Sequence, residues 1–216
     1  MRAVVKGNQM HLPDGLMPVE MALAGYAGSG LLAAISLSRI KHLPDPSALV
    51  PRAAMLTTVF FAASLVAIPV PPTTVHLMLA GLLGVMLGWF AIPAILVGLF
   101  LQAVLFGHGG LTTLGLNGLI LGPPALLAFW LWRAAGRRWP DVVAVCAGSG
   151  AVVVALFIFA ALVLAGMPVA LDARAEQTAL WAFMLAHVPL VLAEGLIVLV
   201  VLRVLRRTAP QLLPHG

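Results

Sequence analysis

Charged residues are scarce in this sequence. Asp, Glu, Lys and Arg make up 9% of its 216 residues, whereas soluble domains carry roughly 25%. Hydrophobic residues reach 62% and the mean hydropathy is +1.10, which excludes an ordinary soluble domain. The apolar runs are continuous and lack the alternating pattern that transmembrane barrels need. The composition therefore predicts a helical integral membrane protein.

Cysteine is nearly absent as well. Cys146 stands alone, so the chain forms no internal disulfide and has no CxxC motif. Because this cysteine lies in an apolar run, we expect a buried, inert thiol. HExxH, GxSxG and Walker phosphate-binding motifs are also missing. The sequence therefore predicts that the chain is not an enzyme and that any ATP hydrolysis comes from another chain.

Apolar runs long enough to cross a bilayer recur along the chain. A span needs roughly 20 apolar residues. The runs predict an all-α integral membrane fold with seven transmembrane helices in one bundle, at 17–37, 55–70, 75–89, 92–106, 113–132, 142–164 and 180–202. The third and fourth spans are short, and Pro93 predicts a tight turn or a kink between them. Ala24 and Gly28 predict a close helix contact on the first span.

The chain shows no internal repeat and no linker. We therefore expect residues 1–9 to be an N-terminal extension, residues 10–208 a single membrane domain and residues 209–216 a cytoplasmic tail.

The basic residues predict the orientation of the bundle. The net charge is +5, and we attribute it to orientation rather than to nucleic-acid binding, since Lys and Arg concentrate in the cytoplasmic loops of membrane proteins. Nine of the twelve basic residues follow the first, fifth and seventh spans: Arg39, Lys41, Arg52, Arg133, Arg137, Arg138, Arg203, Arg206 and Arg207. This pattern places the N-terminus outside and the C-terminus in the cytoplasm.

The first nine residues disagree with that orientation. Arg2 and Lys6 put positive charge on the outer flank of the first span. A chain that began at Met10 would carry none there, so we hypothesise that Met10 is the working first residue. The apolar run that follows lacks a convincing signal-peptide cleavage site.

Two histidines fall on the outer face in this orientation. His11 precedes the first span and His76 begins the third. They are either metal ligands, since imidazole binds Ni, Co, Cu and Zn, or interfacial and structural residues. If Met10 is the N-terminus, its amine joins the amide and imidazole nitrogens of His11, and His76 completes a planar set of four nitrogens. Such a set favours Ni(II) or Cu(II), with Co(II) also accommodated.

Three motifs together resemble one transporter family. They are Met-His-Leu-Pro-Asp-Gly at 10–15, Val-His-Leu at 75–77 with Gly-Leu-Leu-Gly at 81–84, and Phe-Gly-His-Gly-Gly-Leu-Thr-Thr-Leu-Gly-Leu-Asn at 106–117. From Met10 onward the chain resembles the cobalt/nickel (CbiM/NikM) family, the substrate-capture S components of energy-coupling factor (ECF) ABC transporters.

This resemblance implies a small helical bundle with one extra N-terminal helix, in a bacterial or archaeal cell membrane. It implies that Met10, His11 and His76 bind Co(II) or Ni(II) from outside as substrate, with no organic cofactor. It also implies partners: a transmembrane coupling (T) subunit, two ATPase subunits and a small auxiliary membrane subunit. Residues 1–9 depart from the family pattern, because its members begin at Met-His.

The remaining polar residues allow more than one interpretation. His108 either orients a ligand imidazole as a second-shell partner or braces its glycine-rich loop, and Asn117 is expected to brace the pocket. Thr112 and Thr113 are expected to cap the fifth span.

His187 and Glu194, two turns apart on the last span, form either a proton path or a structural contact, which is an interhelical hydrogen bond or a contact near the cytoplasmic half. Two alternative functions stay open. One is a membrane-embedded metal enzyme in which His76, His108, His187 and Glu194 converge at one depth. The other is an assembly protein that binds no metal.

Overall fold

The computed structural model describes residues 11–71, 73–166 and 173–213. Within them the chain forms eight α-helices and two short strands, joined by three single-turn 3-10 helices at Ser47–Leu49, Gly88–Phe90 and Pro210–Leu212. In chain order the elements are α1 Val19–Lys41, α2 Val50–Ser64, β1 Ile68–Val70, β2 Thr73–Val75, α3 Ala80–Leu87, α4 Ala91–Phe106, α5 Leu114–Ala135, α6 Pro140–Gly166, α7 Ala173–Ala186 and α8 Val188–Thr208.

The predicted membrane character is confirmed. In the described part of the chain, six helical segments are long and apolar enough to cross a bilayer: Val19–Lys41, Ser47–Ser64, Ala80–Phe106, Leu114–Ala135, Pro140–Gly166 and Thr178–Thr208. The chain is thus a mostly helical, multi-pass membrane protein. This count does not confirm the predicted seven spans, because it includes α3 and α4 as the single segment Ala80–Phe106. It also does not confirm the predicted orientation of the two ends.

That region nevertheless turns back on itself. His76 before α3 and His108 after α4 have ring centroids only 4.9 Å apart, whereas a straight helix over the 27 residues of Ala80–Phe106 would be about 40 Å long. The turn lies at Gly88, whose φ is +56°. The guanidinium of Arg39 lies over the ring of Trp89, so the turn sits at the basic end of α1. The two histidines therefore meet at the opposite end of the bundle.

Backbone contacts through small residues hold α1 against α5. A Cβ at Gly25 would lie 2.8 Å from the backbone nitrogen of Leu116, and one at Gly115 would lie 2.4 Å from that of Tyr26. Ser29 donates its hydroxyl hydrogen to the carbonyl of Gly115 at 2.5 Å. The predicted contact through Ala24 is wrong by one position, since Ala24 is exposed and Gly25 is buried.

The second predicted span was wrong at its C-terminal end. Helix α2 ends at Ser64, and the proline-rich sequence that follows forms an antiparallel hairpin in which Ile68 pairs with Val75 and Val70 with Thr73. Proline fixes φ and removes a backbone donor, which disfavours continuing a helix. The all-α description therefore needs one small hairpin added, immediately before His76.

The last predicted span lies within the segment Thr178–Thr208, which is interrupted at His187 between α7 and α8, with Pro189 in the first turn of α8. The expectation of a buried cysteine was wrong. Cys146 is exposed. Its neighbours Ala144 and Ala147 form the buried face of α6, and the thiol points away from that face.

Candidate metal site

Three histidines from distant parts of the chain converge at one point. His11 precedes α1, His76 follows β2 and His108 follows α4. Their ring centroids are 4.8, 4.9 and 5.0 Å apart in pairs, with the His11 and His76 rings stacked and the His108 ring edge-on to both. Each ring places one nitrogen within 4.8 Å of the others. Two nitrogens on opposite sides of an ion, each about 2.1 Å from it, lie about 4.2 Å apart. The nitrogens of the three histidines are within 4.8 Å of one another, so small side-chain rotations would bring them to metal-binding distance.

The nitrogens of this cluster are available for a ligand. His11 and His76 are 5% and 2% exposed. None of their ring nitrogens, nor Nε2 of His108, has a hydrogen-bond partner among the described residues. A buried polar atom without a partner costs free energy, and a metal ion would supply the missing partner for several of them at once.

Burial keeps these imidazoles neutral. Burial, with a smaller contribution from the neighbouring imidazoles of His76 and His108, lowers the pKa of His11 well below the usual value. Burial, together with the nearby imidazole of His108, lowers the pKa of His76 to about 4. Burial also lowers the pKa of His108. A metal binds the neutral imidazole, so at neutral pH the three rings are already in the form that coordinates.

Asn117 holds the segment that carries His11. Its side-chain oxygen accepts a hydrogen bond from the backbone N–H of Leu12 at 2.8 Å, and its amide nitrogen donates to the Leu12 carbonyl at 3.1 Å. Thr113 donates its hydroxyl hydrogen to the same carbonyl. Leu12 itself is fully buried. The backbone next to His11 is therefore held to the start of α5 by side-chain hydrogen bonds.

A second contact fixes the segment three residues further on. The carboxylate of Asp14 accepts hydrogen bonds from the backbone N–H of Thr112 at 2.8 Å and from its hydroxyl at 2.5 Å, and the hydroxyl contact lowers the pKa of Asp14. Thr112 and Thr113 were expected to cap α5. They bind the N-terminal segment instead, and Thr113 makes no side-chain capping bond.

Glycines let the loop at 107–110 approach this segment closely. Gly107 and Gly109 adopt φ values of +60° and +78°, which residues with a Cβ rarely adopt. A Cβ at Gly110 would lie 2.2 Å from Oδ1 of Asp14. Steric contact thus explains the glycines at 109 and 110, and backbone conformation explains the one at 107. Together they allow His108 and α5 to pack against the chain around His11.

The other residues predicted for the site are Met10 and His108. Met10 lies outside the described residues, so its role as a ligand stays a prediction, as does metal binding by His11 and His76. His108 contacts both other rings directly and offers a ring nitrogen of its own. The sequence had left its role open between orienting a ligand and bracing its loop. The short distance of this ring from the other two depends on the turn at Gly88, five residues before the Pro93 from which the sequence predicted a turn or kink.

Glu194 lies nearer the site than the sequence suggested. Among the alternatives for Glu194, it is a hydrogen bond to another element that forms: its carboxylate accepts hydrogen bonds from the backbone of Met78 and Leu79, just after His76 and directly before α3. His187 instead directs Nδ1 to the carbonyl of Phe183 at 2.7 Å. Among the described residues, the group able to hold a metal consists of His11, His76 and His108. The four-residue convergence expected for a metal enzyme is therefore not formed.

Comparison with known proteins agrees with the motifs. Residues 11–212 match a family model, CbiM, described as the cobalt uptake substrate-specific transmembrane region. The cobalt transport protein CbiM 2 of Pelobacter propionicus is 34% identical over 210 residues, which cover 92% of this chain and 91% of that protein. The fused nickel transport protein NikMN of Rhodobacter capsulatus is 35% identical over 127 residues, 56% of this chain and 36% of that protein.

A solved structure shows the same fold. The crystal structure of a truncated transition metal transporter superposes with a TM-score of 0.75 at 23% sequence identity, over 91% of this chain and 98% of that one. The agreement of the family match, the long relative and the fold leads to one conclusion: this chain belongs to the CbiM family.

Proposed function

We propose that this protein is the substrate-binding membrane subunit of an ECF-type ABC importer and that it captures Co(II) or Ni(II) at His11, His76 and His108. The observation that carries the proposal is the three buried imidazoles whose nitrogens converge without hydrogen-bond partners among the described residues. Relatives named for cobalt and for nickel transport support the same substrates.

The chemistry of the ligands agrees with these ions. Nitrogen donors suit Co(II), Ni(II), Cu(II) and Zn(II), while Mg(II) and Ca(II) prefer oxygen. The cluster includes no carboxylate, and its imidazoles add no charge to balance a divalent ion. Binding therefore depends on the strength of the metal–nitrogen bonds, which favours the later transition metals.

Met10 extends the ligand set if its amine is free. A terminal amine and the His11 amide nitrogen would then complete, with two imidazoles, a planar set of four nitrogens, and the third imidazole would remain for an axial position. The hydrogen bonds of Leu12 support this arrangement, because they fix the backbone next to His11. Mass spectrometry of the purified N-terminus tests it, and an intact Met1 would remove Met10 from the ligand set.

The partners are part of the proposal. The sequence has no phosphate-binding loop, so ATP-driven uptake needs two ATPase subunits. A transmembrane coupling subunit would link them to this chain, with a small auxiliary membrane subunit beside it. Copurification of these chains with the tagged protein from its native membrane tests this part separately from metal binding.

Replacement of the ligands tests the substrate. His11→Ala and His76→Ala should each abolish high-affinity Co(II) and Ni(II) binding by the purified protein and metal uptake by metal-starved cells. His42→Ala is the matched control, since His42 is an exposed histidine at the opposite end of α1, and it should bind and transport as the wild type does. Unchanged uptake in both ligand variants would instead favour an assembly protein that binds no metal.

A further inference from the structure

A buried carboxylate on the last helix contacts the chain just after His76. Glu194 on α8 is 0% exposed. Its Oε1 accepts hydrogen bonds from the backbone N–H of Met78 at 2.5 Å and of Leu79 at 2.9 Å. These residues follow His76 by two and three positions and lie more than a hundred residues from Glu194 in sequence. The contact therefore joins the end of the chain to the backbone that carries a metal-site imidazole.

The backbone after His76 depends on this carboxylate. Leu79 adopts φ +47°, and among the described residues it is the one non-glycine with positive φ. This left-handed turn aims the N–H groups of Met78 and Leu79 at Glu194, directly before α3 begins at Ala80. Both residues are buried, so without an acceptor their N–H groups would stay unpaired at a cost in free energy.

The position of Glu194 is itself fixed by backbone contacts between three helices. A Cβ at Gly148 on α6 would lie 2.5 Å from the carbonyl oxygen of Glu194, and a Cβ at Gly81 on α3 would lie 2.5 Å from the carbonyl oxygen of Ala147. At these points α8, α6 and α3 touch without intervening side chains. Such contacts allow little sliding, so the carboxylate has a defined distance to the turn at Leu79.

We propose that Glu194 is a positioning residue of the metal site: it holds the backbone of Met78 and Leu79, and thereby sets where the His76 imidazole meets His11 and His108. Glu194 itself does not ligate the ion. The proposal rests on the metal-binding function proposed above and adds to it a determinant on the last helix, outside the three motifs that mark the family in the sequence.

Titration of the full-length protein with Co(II), followed by its visible ligand-field absorption, tests the proposal. Glu194→Ala removes the acceptor of both N–H groups, and we expect binding weaker by about tenfold or more and a changed spectrum of the bound ion, because the His76 nitrogen moves. Glu194→Gln keeps a carbonyl oxygen in the same place, so it should restore affinity to within about threefold of the wild type together with the wild-type spectrum.

Val198→Ala is the matched control. Val198 is 0% exposed and lies one turn further along α8, so its truncation destabilises the same helix without touching the turn at Leu79. It should lower the thermal stability yet leave the affinity and the spectrum of bound Co(II) unchanged. A spectral change in Val198→Ala equal to that in Glu194→Ala would overturn the proposal, since general loosening of α8 would then explain both.

The remaining outcomes separate this proposal from the function on which it rests. If the wild type binds Co(II) and Glu194→Ala binds with the same affinity and spectrum, the positioning role is wrong and the metal function stands. If the wild type binds no Co(II), both are wrong. Where Glu194→Ala does not fold, Glu194→Asp decides. Its carboxylate is withdrawn by one methylene, and wild-type affinity and spectrum in this variant would refute the role.

Discussion

Replacing Asn117 by alanine tests how the segment around His11 is held. Asn117 is buried, and its side chain makes both a donating and an accepting hydrogen bond with the backbone of Leu12. Alanine removes both bonds without adding bulk. The Leu12 carbonyl keeps the hydroxyl of Thr113 as a donor, whereas the Leu12 N–H is left buried without an acceptor.

The expected magnitude follows from these contacts. A lost hydrogen bond costs about 1 kcal/mol, and a buried donor left without a partner costs about 1–3 kcal/mol. The variant should thus lose about 2–4 kcal/mol of the free energy that holds the segment against α5. If release of the segment removes His11 from the site, a 2 kcal/mol loss weakens metal binding by up to about 30-fold.

Co(II) titration of the purified variant measures this loss, with helix content from circular dichroism as the check on folding. Thr57→Ala is the matched control. It also removes one hydrogen bond between a buried side chain and a backbone carbonyl, that of Ala53, but within α2. It should bind Co(II) as the wild type does. A folded Asn117→Ala variant with affinity within about threefold of the wild type would refute the idea that Leu12 pairing positions His11.

The buried imidazoles and the glycine loop give two more expected outcomes. The metal-free protein should lose stability as the pH falls from about 6.5 towards 4. The pKa of His76 is lowered to about 4 in the folded protein, so between these two pH values the unfolded chain binds a proton at His76 and the folded chain does not. This residue alone contributes about 3 kcal/mol; thermal unfolding across that range measures it, and His76→Gln should flatten the profile. Gly110→Ala should weaken Co(II) binding about tenfold or more, because its Cβ would lie 2.2 Å from Oδ1 of Asp14 and displace a segment held by bonds of about 1 kcal/mol each. Gly107→Ala is the control, because Gly107 has φ +60° but no atom within 4 Å of the new Cβ. It should lose only about 1 kcal/mol of stability and keep the wild-type affinity for Co(II). Equal affinities in the Gly110→Ala and Gly107→Ala variants would contradict the steric argument.

Much of the architecture follows from the sequence because hydropathy reports membrane helices directly. The runs from which the spans were predicted contain α1, α5 and α6 nearly whole, and Pro93 predicted the break between α3 and α4 to within a few residues. The family resemblance singled out Met10, His11 and His76 as ligands. It left His108 between a supporting role and a loop brace.

Helix faces could not be predicted in the same way. Lipid and protein core are equally apolar, so an apolar periodicity does not tell which side of a membrane helix is buried. For this reason the contact of α1 was assigned to Ala24 rather than Gly25, and Cys146 was assigned to the interior although it is exposed. Only the backbone approach of a neighbouring helix distinguishes adjacent small residues.

Contacts between distant residues were the other gap. The bonds from Glu194 to Met78 and Leu79 span 116 and 115 residues, and nothing in the local pattern of α8 points to them. The hairpin at Ile68–Val75 was also missed, since three-residue strands are too short to show a period of two. Both features lie next to His76, between the end of β2 and the start of α3 or in the hairpin itself.

The contact between Tyr26 and Leu111 fixes how deep the histidine cluster lies. The Tyr26 hydroxyl donates to the Leu111 carbonyl in the loop that follows His108, and Tyr26 is seven residues beyond the start of α1 at Val19, a rise of about 10 Å. The first two turns of α1 therefore stand above that loop as a rim. Met21 of this rim and Met17, just before α1, lie against Gly166 at the end of α6. An ion bound at the histidines, as proposed above, would lie beneath this rim, so binding itself would carry it past the first residues of α1.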